Sequence, residues 1–306
     1  MRTINVGNGA LTISEIALGC MRLKSLEAAD VDKLLTTAIA EGITFFDHAD
    51  VYGDGLSEEL FGASVKRLGL KRDSLVLQSK CGIRRGVAFD FSKEHILKAV
   101  DGSLKRLQTD YLDVLLLHRP DALVEPEEVA EAFGILQSNG KVRAFGVSNQ
   151  NPMLIELIQR ALPVKLLFNQ LQLSVAYTPI IDASIHVNMK DEAGVVRDGS
   201  ILDYCRLNGL TIQAWSPFQY GFFEGVFLDN PKFPNLNHTI DKIAQHYRVT
   251  NTAVAVAWIS RHPAHIQTIL GTTKPQRVRD AVQSQNFRLT REEWYEVYLS
   301  AGNILP

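Results

Sequence analysis

The feature that most constrains the fold of this chain is a rhythm of short β-type runs alternating with longer connecting stretches, many of them helical. The runs are Glu15–Leu18, Thr44–Phe46, Leu75–Ser79, Val114–Leu117, Ala144–Val147, Leu166–Asn169, Thr211–Ala214 and Gln267–Leu270. Between them, apolar residues recur at helical spacing. Leu34, Leu35, Ala38 and Ile39 predict a helix over Val31–Glu41, and Ile96, Leu97, Val100, Leu104 and Leu107 predict one over Glu94–Leu107. Pro126–Asn139 opens with proline and acidic residues and stops at Gly140, which is helix start and stop chemistry. Pro152–Ala161 and Ile240–Tyr247 read as helices too. Such repetition argues for a parallel sheet covered by helices. Eight strands close that sheet into an α/β fold of the (β/α)8 TIM barrel type. Ahead of the first run, Ile4 and Val6, then Leu11 and Ile13, alternate with polar residues around Gly7-Asn8-Gly9, predicting an N-terminal β-hairpin that closes the bottom of the barrel. One domain over residues 1–306 is expected. The rival, a doubly wound open sheet, needs a G-x-G-x-x-G turn after an early strand. Gly7-Asn8-Gly9 sits in the hairpin, and Gly53-Asp54-Gly55 lacks the third glycine.

Charge and composition exclude several function classes. A net charge of −2 gives no footprint for nucleic acid, and no basic run suits a membrane surface. The longest apolar runs are too short to cross a bilayer, and the N-terminus lacks the apolar core of a signal peptide. The three cysteines, Cys20, Cys81 and Cys205, lie far apart, so free thiols and a cytoplasmic location are expected. No CxxC, HExxH or HxH cluster offers a metal site.

In a parallel barrel the chemistry sits where the strands end. Those ends carry Gly19-Cys20-Met21, then Asp47 to Gly53, Lys80, His118, Ser148-Asn149, Gln170, Trp215-Ser216-Pro217 and Gly271-Thr272-Thr273-Lys274. An acid, a phenol, an amine and an imidazole thus share one mouth. Carbonyl reduction needs a hydride on carbon and a proton on oxygen. Tyr52 can supply the proton if a nearby ammonium, Lys80, lowers its pKa from about 10. Asp47 can hold Lys80 charged, and His118 can bond the carbonyl oxygen. Proton transfer of this kind contributes roughly 10²–10⁴-fold. The hydride must come from a cofactor, since no side chain supplies one.

The segments FDHADVYG, SK, LLLHRPD, GKVRAFGVSN, FNQ, AWSPF and ILGTTKPQR occur in this order and span nearly the whole chain. Together they resemble the aldo-keto reductase family. His48 stands where that family's pattern has Ser or Thr, Gln172 where Glu is commoner, and Ala281 where Asn often closes the adenine pocket. The resemblance implies a catalytic tetrad of Asp47, Tyr52, Lys80 and His118. It implies that Ser148, Asn149 and Gln170 contact a nicotinamide carboxamide, that Trp215 stacks on the ring, and that the backbone at Gly19, Cys20 and Met21 borders the ribose. Asp47, Ser216, Pro217 and Phe218 are expected to join the cofactor contacts. Gly271, Thr272, Thr273, Lys274 and Arg277, at a helix N-terminus, are expected to hold the 2′-phosphate of NADPH in preference to NADH.

Blander or rival readings accompany these. His48 and Asp50 beside Asp47 suggest a metal, but no partner spacing supports one. Cys20 and Cys81 near strand ends suggest a nucleophile, but no base accompanies them. A cofactor-binding regulatory subunit without turnover is the alternative from another functional class, as is a metal-assisted hydrolase. The stretches Ala176–Leu207 and Phe218–Asn237 read as long loops. Phe218, Tyr220, Phe222 and Phe223 form either a self-packed loop or a clasp over the cofactor. Met21, Phe89 and Phe91 are expected to line an apolar substrate wall. The partner is a small carbonyl compound, with neither nucleic acid nor membrane; the oligomeric state is not legible.

Overall fold

The computed structural model describes residues 1–306, the side chain of Asn8 excepted. The chain opens with an antiparallel hairpin of β1 (Thr3–Val6) and β2 (Leu11–Ser14). There follow β3 (Ile16–Gly19), β4 (Phe45–Asp47), β5 (Val76–Cys81), a small outer hairpin of β6 (Ile83–Arg84) and β7 (Ala88–Phe89), then β8 (Leu112–Leu117), β9 (Val142–Ser148), β10 (Leu166–Gln172), β11 (Thr211–Trp215) and β12 (Gln267–Leu270). Apart from the two hairpins, the strands pair in parallel with their neighbours in sequence, and β12 returns to β3, closing an eight-stranded barrel. The alternation of short apolar runs and helices therefore produces the closed (β/α)8 sheet that it predicts.

Ile4, Val6 and Ile13 of the hairpin pack with the inward residues Ala17, Phe45, Val114, Leu116, Phe168 and Ile269. The hairpin thus plugs the end of the barrel where the strands begin, and the opposite end is left for the site. A larger cluster between the sheet and the helices buries Leu34, Leu35, Ile96, Val100 and Phe133, on helical faces that the sequence predicts, against strand residues such as Phe145. Burying each such side chain stabilises the fold by roughly 1.5–3 kcal/mol.

The helices are α1 (Ala28–Ala40), α2 (Leu56–Arg67), α3 (Lys93–Leu107), α4 (Pro126–Ser138), α5 (Pro152–Ala161), α6 (Pro179–Ile185), α7 (Ile201–Asn208), α8 (Pro234–Tyr247), α9 (Asn251–Ser260), α10 (Pro275–Val282) and α11 (Arg291–Ser300). Three differences from expectation have physical causes. First, α9 has Ala253 to Ile259 buried all round, so it carries no polar face and no helical period. Second, the stretch Ala176–Leu207 is not a plain loop, since α6 starts on Pro179 and α7 ends at the left-handed Gly209. Third, α8 begins at Pro234 rather than Ile240, because a proline at the first helical position needs no N–H partner.

Candidate functional site

Asp47, Tyr52, Lys80 and His118 meet at the open end of the barrel. Lys80 is the hub. It lies inside β5, and its side chain is wholly enclosed. Its Nζ stands 2.7 Å from Asp47 Oδ1 and donates to the His48 carbonyl oxygen at 2.8 Å and to Tyr52 Oη at 3.1 Å. Burial works against its charge, but Asp47 and Tyr52 overcome that and hold the ammonium above its ordinary value. Asp47 Oδ1 also accepts from Gln78 Nε2 at 2.6 Å and from Gln170 Nε2 at 3.1 Å. Gln78 and Gln170 each donate in turn to Gln213 Oε1, Gln213 Nε2 donates to Gln267 Oε1, and Gln267 Nε2 donates to the Ser14 carbonyl. Gln78 and Gln213 lie on strands that are not neighbours, so this chain of amides crosses the barrel interior.

Burial raises the Tyr52 phenol above its usual value; Lys80 pulls it down, but not far enough. This corrects the expected lowering: desolvation of the phenolate outweighs the ammonium beside it, and Tyr52 stays protonated at neutral pH. The His118 ring meets the Tyr52 ring edge-on, with centroids 5.9 Å apart. Burial, then Lys80 and Arg119, hold His118 well below the usual imidazole value, so the ring is neutral. Its Nδ1 is enclosed without a partner. A buried unpaired N–H is rarer than an unpaired acceptor, which puts the proton on Nε2.

These groups border a cavity of about 730 Å³, within the range of cofactor and ligand sites. Gly19, Met21, Asp47, Tyr52, His118, Ser148, Asn149, Gln170, Trp215, Ser216, Pro217, Phe218, Gly271, Thr272 and Arg277 all face it, as expected from the sequence. Lys80 stands behind Tyr52. Cys20, Thr273 and Lys274 lie outside the lining: the Cys20 side chain is turned into the core, where its Sγ faces the Leu18 carbonyl at 3.6 Å. Ala281 is likewise buried in the core. The expected apolar wall is not built. Phe91 is buried against Gly82, and Phe89 sits on the exposed outer hairpin; of the three, Met21 alone faces the cavity. Ile83, which pairs with Phe89 across the outer hairpin, is the residue of this segment that faces the cavity.

The donor set fits a nicotinamide nucleotide. Ser148 Oγ donates to the Gln170 carbonyl, Asn149 Nδ2 donates to Ser148 Oγ, and Trp215 Nε1 donates to Asn149 Oδ1, so four residues from three strand ends hold one another in place. The amide nitrogen of Gln170 is engaged twice within the barrel, while its Oε1 accepts from no protein group, leaving an acceptor beside the cavity. At Gly19 a Cβ would stand 3.0 Å from Ile269 Cγ2 and 3.1 Å from the Leu270 carbonyl, so any larger residue there presses on β12. Gln172 Nε2 donates to the Gly221 carbonyl, and Ser174 Oγ donates to the Gln219 carbonyl, tethering the aromatic loop to the end of β10. Phe222 and Phe223 of that loop pack on Trp215, with centroids 6.1 and 6.4 Å away, and on each other at 4.8 Å, so the loop packs on itself and reaches the strand end at once.

His48 acts through its backbone carbonyl. Its ring is buried edge-on against Phe61 with centroids 4.5 Å apart, both nitrogens are without partners, and burial brings its pKa down to about 3. Several lining residues were not picked out in the sequence: Arg22, Ile83, Arg119, Asp229, Asn251, Thr252 and Asp280. Arg119 was legible as the residue after His118 at a strand end. The last four come from loop and helix segments whose approach to the mouth no local pattern announces.

The aldo/keto reductase family model matches residues 15–298. The chain belongs to that family. The oxidoreductase YcsN of Bacillus subtilis is 35% identical, with 94% of each chain covered. The 6-dehydroglucose reductase of Agrobacterium fabrum is 32% identical over 95% of each. A Klebsiella pneumoniae aldo-keto reductase, solved in complex with NADPH, superposes with a TM-score of 0.76 at 25% identity, covering 97% of this chain and 93% of that one. The chain is accordingly an oxidoreductase, built on the barrel that these relatives share.

Proposed function

We propose that this protein reduces an aldehyde or ketone to an alcohol with NADPH, and that Tyr52 is the proton donor. The observation that carries the reading is the position of Lys80 Nζ, within bonding distance of both Asp47 Oδ1 and Tyr52 Oη at the floor of the cavity. When bound, NADPH supplies the hydride to the carbonyl carbon. Tyr52 gives its phenolic proton to the carbonyl oxygen as that oxygen gains charge. Lys80 stabilises the phenolate left behind, and Asp47 keeps the ammonium aimed at it. Neutral His118 donates from Nε2 to the same oxygen and orients the substrate. Ser148, Asn149 and Gln170 present polar groups to the carboxamide, and Trp215 offers a ring face for stacking. Gly271, Thr272 and Arg277, where β12 leads into α10, suit a 2′-phosphate, which supports NADPH over NADH. The Klebsiella complex with NADPH supports the same choice.

The test is NADPH consumption with a panel of aldehydes and ketones, in the wild type and in Tyr52→Phe. The variant is expected to lose turnover while its NADPH Kd stays within a few-fold. A variant that retains more than a few per cent of kcat refutes the proton-donor role. Tight NADPH binding with no turnover on any carbonyl favours a regulatory subunit instead.

A further inference from the structure

Arg119 is the residue after His118 at the end of β8, and it faces the cavity. Its guanidinium is half-buried and has no hydrogen-bond or ion-pair partner among the described residues. The nearest acid in sequence, Asp121, is spoken for: its oxygens accept from the backbone N–H groups of Phe91 and Leu123, both at 2.8 Å. Of the other acids in the lining, Asp47 is held by Lys80, Asp229 accepts from Asn251, and Asp280 accepts from Gln276. The Arg119 guanidinium carbon lies 5.7 Å from the Trp215 ring centre and 5.8 Å from that of Phe222. Those rings hold it by their faces and leave the N–H edge without a partner. Arg22, a second cation of the lining, also has no acid within ion-pair distance.

A partly desolvated guanidinium costs stability unless something compensates it, and arginine's fork of donors matches a carboxylate or phosphate. Burial pulls the Arg119 pKa down, and Tyr52 alone opposes that, which fits a cation whose counter-ion is not part of the protein. Resting on the reductase reading above, we propose that Arg119 anchors the substrate, and that the natural substrate is an aldehyde or ketone bearing an anionic oxygen group, a carboxylate or a phosphate. The carbonyl then sits against Tyr52 and His118 while the anion is bound by Arg119, under the aromatic pair Trp215 and Phe222.

Matched substrates test this in the wild type: succinic semialdehyde against butanal, and glyceraldehyde 3-phosphate against glyceraldehyde. A charge-assisted contact predicts that the charged member of at least one pair has about ten- to a hundredfold the kcat/KM of its neutral partner. The pair with the larger ratio identifies the headgroup. In Arg119→Met that ratio is expected to collapse toward one, and Arg119→Lys is expected to retain part of it. A binding readout stands beside the kinetics: butyrate, titrated calorimetrically into the NADP-loaded protein, should bind more tightly than butyramide in the wild type and lose that advantage in Arg119→Met. Equal kcat/KM within both wild-type pairs overturns the anchor and leaves the reductase reading standing. An Arg119→Met variant that lowers charged and neutral substrates by the same factor also overturns it, because the guanidinium would then serve only to hold Trp215. No consumption of any of the four while other carbonyls of the panel are reduced overturns the anchor alone; no consumption of any carbonyl overturns the reductase reading and the anchor with it.

Discussion

Asp50 lets buried charge be weighed without touching the proposed chemistry. Its backbone N–H donates to the Lys80 carbonyl at 3.0 Å, but its Oδ1 is enclosed without a partner. The buried Glu58, held by Ser79 and Arg106, adds like charge nearby. Burial first and Glu58 second push the Asp50 carboxyl from 3.8 up to about 7. An unfolded aspartate titrates near 3.9. Between these values the folded chain keeps a proton that the unfolded chain has released. Asp50 therefore contributes most to stability below about pH 4, and that contribution is lost as pH rises through 7. About two pH units of the gap lie above pH 5, which at about 1.4 kcal/mol each gives an upper figure of about 3 kcal/mol between pH 5 and pH 8. Asp50→Asn abolishes the titration at nearly constant volume. For a chain of this length 1 kcal/mol moves Tm by roughly 2 °C. The Tm gained by Asp50→Asn over the wild type is thus expected to be up to about 5 °C greater at pH 8 than at pH 5. Scanning calorimetry of both proteins at both pH values measures this difference of differences, in which the other titrating groups cancel. The same gain at pH 5 and pH 8, or a smaller one at pH 8, refutes the placement of Asp50 as a buried, uncompensated acid.

Lys80→Met is expected to remove nearly all turnover and to destabilise the fold by roughly 3–5 kcal/mol, since Asp47 is left buried without its cation; the pH–rate profile and urea unfolding measure the two effects, and a normal profile excludes Lys80 from the mechanism. The double variant Lys274→Ala, Arg277→Ala is expected to weaken NADPH by about tenfold or more while changing NADH far less, read by fluorescence titration of both cofactors. Equal losses would remove this segment as a 2′-phosphate site, and because Lys274 lies outside the cavity lining, Arg277 should carry most of the effect. Dialysis against a chelator should leave turnover unchanged, because no three His, Cys, Asp or Glu side chains among the described residues cluster closely enough to hold a metal; recovery of lost activity by zinc or magnesium would contradict this.

The barrel was legible because each strand is a short apolar run flanked by turn or helix signals, and Val114–Leu117 is the plainest case. The strand ends were less so: β5, β9 and β10 continue to Cys81, Ser148 and Gln172, past the expected ends at Ser79, Val147 and Asn169. Those added residues include Lys80, Ser148 and Gln170, the polar groups that each strand brings to the site, so the apolar runs stop where function begins. The four tetrad residues were found because each lies within a few positions of a strand end. What escaped were non-local effects. No spacing tells that Phe91 folds under Gly82 rather than into the mouth, or that burial outweighs Lys80 at Tyr52. Likewise, the partners that leave Arg119 unpaired are settled by loops meeting from different parts of the chain.

The glutamines that cross the barrel have a sense of direction. A backbone carbonyl can only accept, so Ser14 obliges Gln267 to offer its NH2 group downward and its oxygen upward. Gln213 must then offer its NH2 group to Gln267, and its oxygen is left to receive both Gln78 and Gln170. Those two can reach Asp47 only as donors, and a carboxylate is the group that accepts both. Turning any one amide over would set like against like at every bond it makes in the chain. The plug of the barrel and its mouth are therefore linked by a one-way grammar: an oxygen in the N-terminal hairpin dictates that the acid beside Lys80 be met by hydrogens rather than lone pairs.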